Sequence, residues 1–204
     1  MSSVLKADGL ACRRGTRRLF RDVQLEVYTG EVVWIKGSNG RGKSSLLRLL
    51  AGIVPPDDGD VHLEEGVARA FIGHANALKD DLSALENLRF MAGLRGLSVD
   101  SVDLLAALRT LGLAGREHSP VRTFSQGQRR RVALARLALE KSPGLWILDE
   151  PFDALDTAGT AVLGQVLSAH VVQGGSVVLT SHLELTMVVP DLAPVREWVL
   201  GGAT

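Results

Sequence analysis

Three short patterns in this chain of 204 residues carry groups able to handle a polyphosphate. The first is Gly37-Ser38-Asn39-Gly40-Arg41-Gly42-Lys43-Ser44, a G-x-x-x-x-G-K-S phosphate loop with Ser45 following it. A nucleoside triphosphate is a compact cluster of negative charge. A loop that wraps it must turn backbone N–H groups inward with no Cβ in the way, and Gly37, Gly40 and Gly42 provide that freedom. Lys43 brings a cation to the β- and γ-phosphates, and Ser44 offers a hydroxyl to Mg²⁺. The second pattern is Asp149-Glu150, directly after the apolar run Leu145-Trp146-Ile147-Leu148. Asp149 is expected in the metal's ligand shell, and Glu150 is placed to polarise a water for in-line attack on the terminal phosphate. The third is Phe124-Ser125-Gln126-Gly127-Gln128, where a serine and a glycine open a helical run. That composition suits an anion at a helix N-terminus, and equally suits a simple cap.

These groups need elements to hold them. Residues 31–36 form an apolar, β-branched run suited to a buried parallel strand, and 45–51 have helical composition ending at Gly52, so the phosphate loop connects a strand to a helix N-terminus. Before it, 5–12 and 23–28 read as strands joined by a basic turn over 13–18. After it come short strands at 61–63 and 67–72 and a loop over 73–81. Helices follow at 83–94 and 98–113, each opening at a serine able to cap it, with Leu104, Leu105, Leu108 and Leu111 on one stripe. Residues 76–122 hold no strand and read as a helical subdomain inserted into a core of 1–75 and 123–204. A helix from Ser125 to about residue 141 follows, then a strand over 144–149 whose end delivers the carboxylates to the crevice where open α/β sheets bind ligands. The rest reads as a helix over 157–172, a strand over 176–181, a short helix over 183–189 and an edge strand over 195–200. This alternation predicts an α/β fold with a parallel sheet covered on both faces.

The bulk numbers exclude several classes. Twenty-three basic and 23 acidic residues balance to zero, which gives no support for nucleic-acid binding. Aromatic residues make up 4%, too few for base-stacking platforms. The one cysteine, Cys12, fits a reducing compartment, and neither a signal peptide nor an 18-residue apolar span is expected. The run Arg129-Arg130-Arg131 reads as a solvated helix face.

Taken together, the phosphate loop, the Asp149-Glu150 strand end and Phe124–Gln128, which is similar to the LSGGQ signature, resemble the ATP-binding cassette (ABC) ATPases. Ala154-Leu155-Asp156 matches the family's D-loop, and His182 matches its switch histidine. The resemblance covers essentially the whole chain. It implies a P-loop NTPase with a RecA-like core, an antiparallel β-subdomain and an inserted helical subdomain. It also implies a head-to-tail dimer holding two ATPs, each with Mg²⁺. In that arrangement Ser125, Gly127 and Gln128, with Asp156 near by, meet nucleotide bound by the partner copy, while His182 contacts the γ-phosphate and positions Glu150.

Three positions depart from the family pattern. His74 stands where a glutamine is usual, Arg14 where an aromatic ring stacks on the base, and Gln126 where LSGGQ has glycine. A guanidinium plane also stacks on a base. Within the family, Gly73-His74, the run over 83–90, the run over 127–139 and that over 145–156 resemble the ATPase subunit of the haem exporter of cytochrome c maturation. That likeness implies integral membrane partner subunits docking near 75–90, with Leu78 and Leu82 as candidate contacts, at the cytoplasmic face of a bacterial inner membrane. Haem binding by this subunit itself is not expected: His62, His118 and His170 are isolated and Cys12 lacks a C-x-x-C-H context. An exporter of a lipid, drug or ion is the alternative. A non-transport cassette ATPase acting on DNA or ribosomes is expected to carry long coiled-coil insertions or two cassettes in one chain, and neither is read in these 204 residues. A P-loop kinase would keep the phosphate loop but has no need of Phe124–Gln128 or of Asp149-Glu150.

Overall fold

The computed structural model describes residues 2–185, 189, 192 and 195–201. Two long strands, β1 (Ser3–Arg14) and β2 (Arg17–Tyr28), pair antiparallel through a tight turn at Gly15, whose φ of 60° suits glycine. The basic stretch over 13–18 is therefore mostly strand, since Arg14 pairs with Arg17 across the hairpin. β3 (Val32–Lys36) runs into the phosphate loop and then into α1 (Lys43–Leu50). α1 stops at Gly52, whose N–H and that of Ile53 bond back to the carbonyls of Leu49 and Arg48. β4 (Asp58–Leu63) and β5 (Arg69–Ile72) follow, then α2 (Ala84–Leu94) and α3 (Ser101–Thr110). α4 (Gln126–Ala135) continues as a 3-10 turn over Arg136–Leu139, so the regular helix is shorter than the run to residue 141 suggests. β6 (Leu145–Leu148), α5 (Thr157–Val172), β7 (Ser176–Thr180) and β8 (Val195–Val199) complete the chain. The expected helix over 183–189 falls largely on residues outside those described.

Two sheets result. β2-β1-β4 is antiparallel, and β5-β6-β7-β3-β8 is parallel throughout, with β8 at its edge. β4 and β5, separated by one short turn, thus belong to different sheets. Pleating divides the parallel strands cleanly between two cores. Val33, Ile35, Leu145, Ile147 and Val178 pack with Leu46, Leu47 and Leu50 of α1 and with Leu5, Leu10 and Leu25 of the antiparallel sheet. Val32, Trp34, Trp146, Leu148, Val177 and Leu179 face Leu88, Leu104, Leu108, Leu163 and Leu167 of the other helices. Both faces are covered, one of them by a helix backed by a second sheet.

The helices start as their sequences dictate, with one correction. Ser83 caps α2 in a reciprocal box with Glu86, but α3 is capped by Asp100, not Ser98. Asp100 lies one residue before the first helical turn, where its Oδ1 accepts the N–H of Asp103 at 2.8 Å.

Candidate active site

β3, β6 and β7 are adjacent and parallel, so their C-terminal ends open on one edge of the sheet. At that edge the phosphate loop, the Asp149-Glu150 pair and the segment Thr180-Ser181-His182 surround a cleft of about 330 Å³. Of the residues singled out in the sequence, Arg14, Asn39, Gly40, Gly42, Lys43, Ser44, Ser45, His74, Asp149, Glu150 and His182 line it. Gly37, Ser38 and Arg41 shape the loop without lining the cleft. Gly37 accepts the Lys43 Nζ on its carbonyl at 2.6 Å, and the Ser38 carbonyl accepts the Arg41 N–H at 3.3 Å. Gly37, Gly40 and Gly42 have φ of 149°, 77° and 101°. Gly42 is doubly constrained, because a Cβ there would sit 3.0 Å from Leu19 and 3.2 Å from the Phe20 ring.

Helix caps set this site apart. α2, α3, α4 and α5 each receive a side-chain cap, from Ser83, Asp100, Ser125 and Asp156. α1 has none. Its first N–H groups keep their donor capacity at the edge of the cleft, where the helix dipole favours an anion.

The carboxylates are held with care. Asp149 Oδ1 accepts from Ser44 Oγ at 3.1 Å and from Thr180 Oγ1 at 3.0 Å, while its Oδ2 is buried with no hydrogen-bond partner among the described residues. A hard carboxylate oxygen left bare beside a serine hydroxyl fits a Mg²⁺ ion. Among the described residues no three His, Cys, Asp or Glu groups converge as metal ligands. A Mg²⁺ taking most of its shell from phosphate and water needs no such cluster. Glu150 is buried and has a φ of 48°, an unfavourable conformation for a non-glycine residue. Its N–H donates to Thr180 Oγ1 at 2.9 Å. Its Oε2 accepts the His182 N–H at 3.0 Å, and the His182 Nε2 lies 3.4 Å from Oε1. Burial raises the Glu150 carboxyl above its ordinary pKa, against the opposing pull of His182. A carboxylate made more basic and oriented by a histidine is equipped to take a proton from water.

The remaining candidates sit elsewhere. Ser125, Gly127, Gln128 and Asp156 line a separate pocket with Gly112, Arg131 and Ala154, sharing no residue with the cleft. Ser125 Oγ accepts the Gln128 N–H at 3.2 Å, and Gln128 Oε1 accepts the Ser125 N–H at 3.0 Å. Asp156 caps α5 through the Gly159 N–H at 2.8 Å and pairs with Arg131, which together hold its carboxyl below its ordinary pKa. Gly127 has a packing reason beyond anion binding: a Cβ would stand 2.6 Å from the Ala154 carbonyl. Gln126 is exposed at the tip of α4.

His74 is exposed, with Nδ1 3.6 Å from Asp153 Oδ2. His170, by contrast, is buried, stacked on Trp146 at 3.6 Å and bonded to the Gly144 carbonyl at 3.0 Å, a packing role.

The arginine run is a correction. Arg129, Arg130 and Arg131 are not a solvated face; each reaches a different loop. Arg129 pairs with Asp80 at 2.8 Å, Arg131 with Asp156, and Arg130 is 2% exposed beneath the cleft. Thr180, Asp153 and Leu19 also belong to the site without having been singled out. The signal for Thr180 was a polar residue closing an apolar strand, which means little until that strand is known to lie beside β6.

Comparison with known proteins agrees with this geometry. The ABC transporter family profile matches residues 20–153. A protein of Nitrosomonas europaea named cytochrome c biogenesis ATP-binding export protein CcmA is 44% identical over 194 residues, covering 90% of this chain and 91% of the relative. One of the same name from Dechloromonas aromatica is 42% identical over 208 residues, covering 97% and 100%. The solved structure of an ATP binding subunit of an ABC transporter superposes with a TM-score of 0.83 at 25% identity, covering 98% of this chain and 88% of that one. The chain belongs to the ABC transporter ATP-binding family, in the group of the cytochrome c biogenesis ATP-binding export proteins.

Proposed function

We propose that this chain is the ATP-hydrolysing subunit of a membrane exporter serving cytochrome c biogenesis, with haem as the cargo of its membrane partners and not a ligand of this subunit. Lys43 holds the β- and γ-phosphates, leaving the Gly37 carbonyl to do so, and the uncapped start of α1 adds backbone donors. Ser44 and Asp149 would hold a Mg²⁺, which when bound would supply positive charge against the phosphate oxygens. Glu150 accepts a proton from the attacking water, and His182 fixes its orientation. Arg14 stacks on the base. His74 joins the cleft to the loop leading into the helical subdomain, residues 76–122, which is inserted in a core of 1–75 and 123–204.

A second copy completes the site. Ser125, Gly127 and Gln128, with Asp156 behind them, close over nucleotide held by the partner's phosphate loop, so ATP favours a closed head-to-tail dimer and ADP an open one. Support comes from the separation of the two pockets, since the α4 tip does not reach the cleft of its own chain. Integral membrane subunits dock near 75–90, at the cytoplasmic face of a bacterial inner membrane. Phe90 and Leu94 are exposed there, 45% and 73%, while Leu78 and Leu82 are half-buried. No helix among the described residues is long and apolar enough to cross a membrane.

The observation that carries this reading is the bare Asp149 Oδ2 beside Ser44, next to a buried and oriented Glu150. Glu150→Gln tests it. Phosphate release should fall at least about 100-fold, within the range of a lost general base, while Mg²⁺-ATP still binds and drives dimer formation on a sizing column. Turnover at the normal rate, or turnover by a form that stays single-copy at saturating ATP, would refute it.

A further inference from the structure

Beneath the cleft lies a buried cation that hydrolysis does not use directly. The Arg130 guanidinium points from α4 into the sheet edge and binds backbone on both sides of the site. Its Nη2 donates to the carbonyls of Asp149 at 2.9 Å and Glu150 at 2.8 Å, and its Nε to that of Pro151 at 3.3 Å. Its Nη1 donates to the Gly73 carbonyl at 2.9 Å and to Asn76 Oδ1 at 3.2 Å. No carboxylate takes part in these bonds; apart from the Asn76 side-chain oxygen, the acceptors are backbone carbonyls of the two segments that must stay in register. One segment carries Glu150 through its left-handed turn, the other carries His74. Burial lowers the Arg130 pKa, opposed by the carboxylates of Asp153, Asp149 and Glu150 near by. A guanidinium still keeps its charge and its five donors.

We infer that Arg130 is the positioning residue for Glu150: it clamps the carbonyls of 149–151 and of the Gly73–Asn76 loop to α4, the helix whose tip carries Ser125 and Gly127. The inference rests on the proposed role of Glu150 as the base. It follows from geometry. The turn at Glu150 is strained, so something must hold it. The Glu150 carbonyl also accepts the Asp153 N–H at 3.2 Å, and Arg130 is what ties that carbonyl, with those of Asp149 and Pro151, to α4. The fork shape is needed because the acceptors lie on two sides. A lysine offers its three donors from a single point and cannot span them. Because Arg130 lies on the helix that Ser125 caps, seating the helix tip on a partner's nucleotide would bear on the carboxylate in this chain.

Arg130→Gln and Arg130→Lys, in the full chain, separate this role from simple support. The measurements are ATP affinity by titration, kcat and KM for phosphate release, and thermal unfolding, with the same substitutions repeated in a Glu150→Gln background. Both single variants should lose at least about tenfold in kcat with ATP affinity within about threefold of normal, lysine rescuing little. In the Glu150→Gln background the Arg130 change should leave residual turnover unaltered, because a residue acting through Glu150 has nothing left to orient. A kcat within about threefold of normal, a parallel loss of kcat and affinity, or an additive loss in the double variants would overturn the inference. If the glutamine variant does not fold, the lysine variant carries the test. Failure of both to fold makes Arg130 a determinant of the fold and not a positioning residue. Normal turnover by Glu150→Gln alone is a different failure, that of the base assignment itself.

Discussion

The phosphate loop and the tip of α4 are made of the same parts, serine and glycine at the start of a helix, yet they stand in opposite states of saturation. At α4 the Ser125 hydroxyl and the Gln128 amide satisfy each other's backbone in a closed box, and Asp156 beside them is tied to Gly159 and Arg131. At the cleft, α1 has no side-chain cap, Lys43 rests on a backbone carbonyl, and Asp149 Oδ2 has no partner among the described residues. A buried acceptor left unpaired costs about 1–3 kcal/mol. One surface is complete as it stands and presents a rigid shape. The other carries a deficit that a ligand with phosphate and a hard cation would remove. On the proposed function, the difference is that between a site that binds first and one that docks second.

The sharpest way to break that comparison is Lys43→Ala. A charge-assisted hydrogen bond is worth about 1.5–3 kcal/mol, so ATP affinity should weaken by roughly ten- to 100-fold in an equilibrium titration. Unchanged affinity would mean that the cleft is not the first binding site.

Gly127→Ala probes the other surface. Its Cβ would meet the Ala154 carbonyl at 2.6 Å, and relieving such overpacking costs about 1–3 kcal/mol. ATP should bind one copy normally, while ATP-driven dimerisation and turnover fall by about tenfold. Loss of binding in the isolated copy would show that the two surfaces are not independent.

The smallest effect is one of pH. Burial raises the Glu150 carboxyl, so the folded chain holds that proton more tightly than the unfolded chain does. Two consequences follow from the sign. Turnover should fall as pH drops through the raised value, an acid limb lying above the ordinary carboxylate range. The stability tied to the proton is fully present below the unfolded pKa and is lost as pH rises through the folded one. Glu150→Gln should therefore melt higher than the parent near neutrality, with the gap closing on acidification. An acid limb at the ordinary carboxylate value would remove burial as the source of Glu150's basicity.

Much of the cleft was legible in advance because its logic is local. A glycine needed for a positive φ, a lysine beside it and a strand ending in two carboxylates are each set by a handful of consecutive residues. Arg130 shows the opposite case. Three adjacent arginines look alike on paper, and only the phase of α4 against the loops at 73–76 and 149–151 decides which of them is buried. Thr180 is similar, because a threonine closing one strand holds Asp149 only once β7 is laid beside β6. β4 and β5 differ in sheet for the same reason, one pairing with β1 and the other with β6.

The amino-acid order by itself determined which residues bear charge and hydroxyls at the cleft, and that a strand, a glycine loop and a helix would present them, since those choices follow from propensity and spacing within a few residues. Only the tertiary structure decided which oxygens are satisfied and which are left bare. Hydrogen-bond saturation depends on groups brought together from more than 100 positions apart, as with Ser44 and Asp149, and no local pattern encodes that meeting.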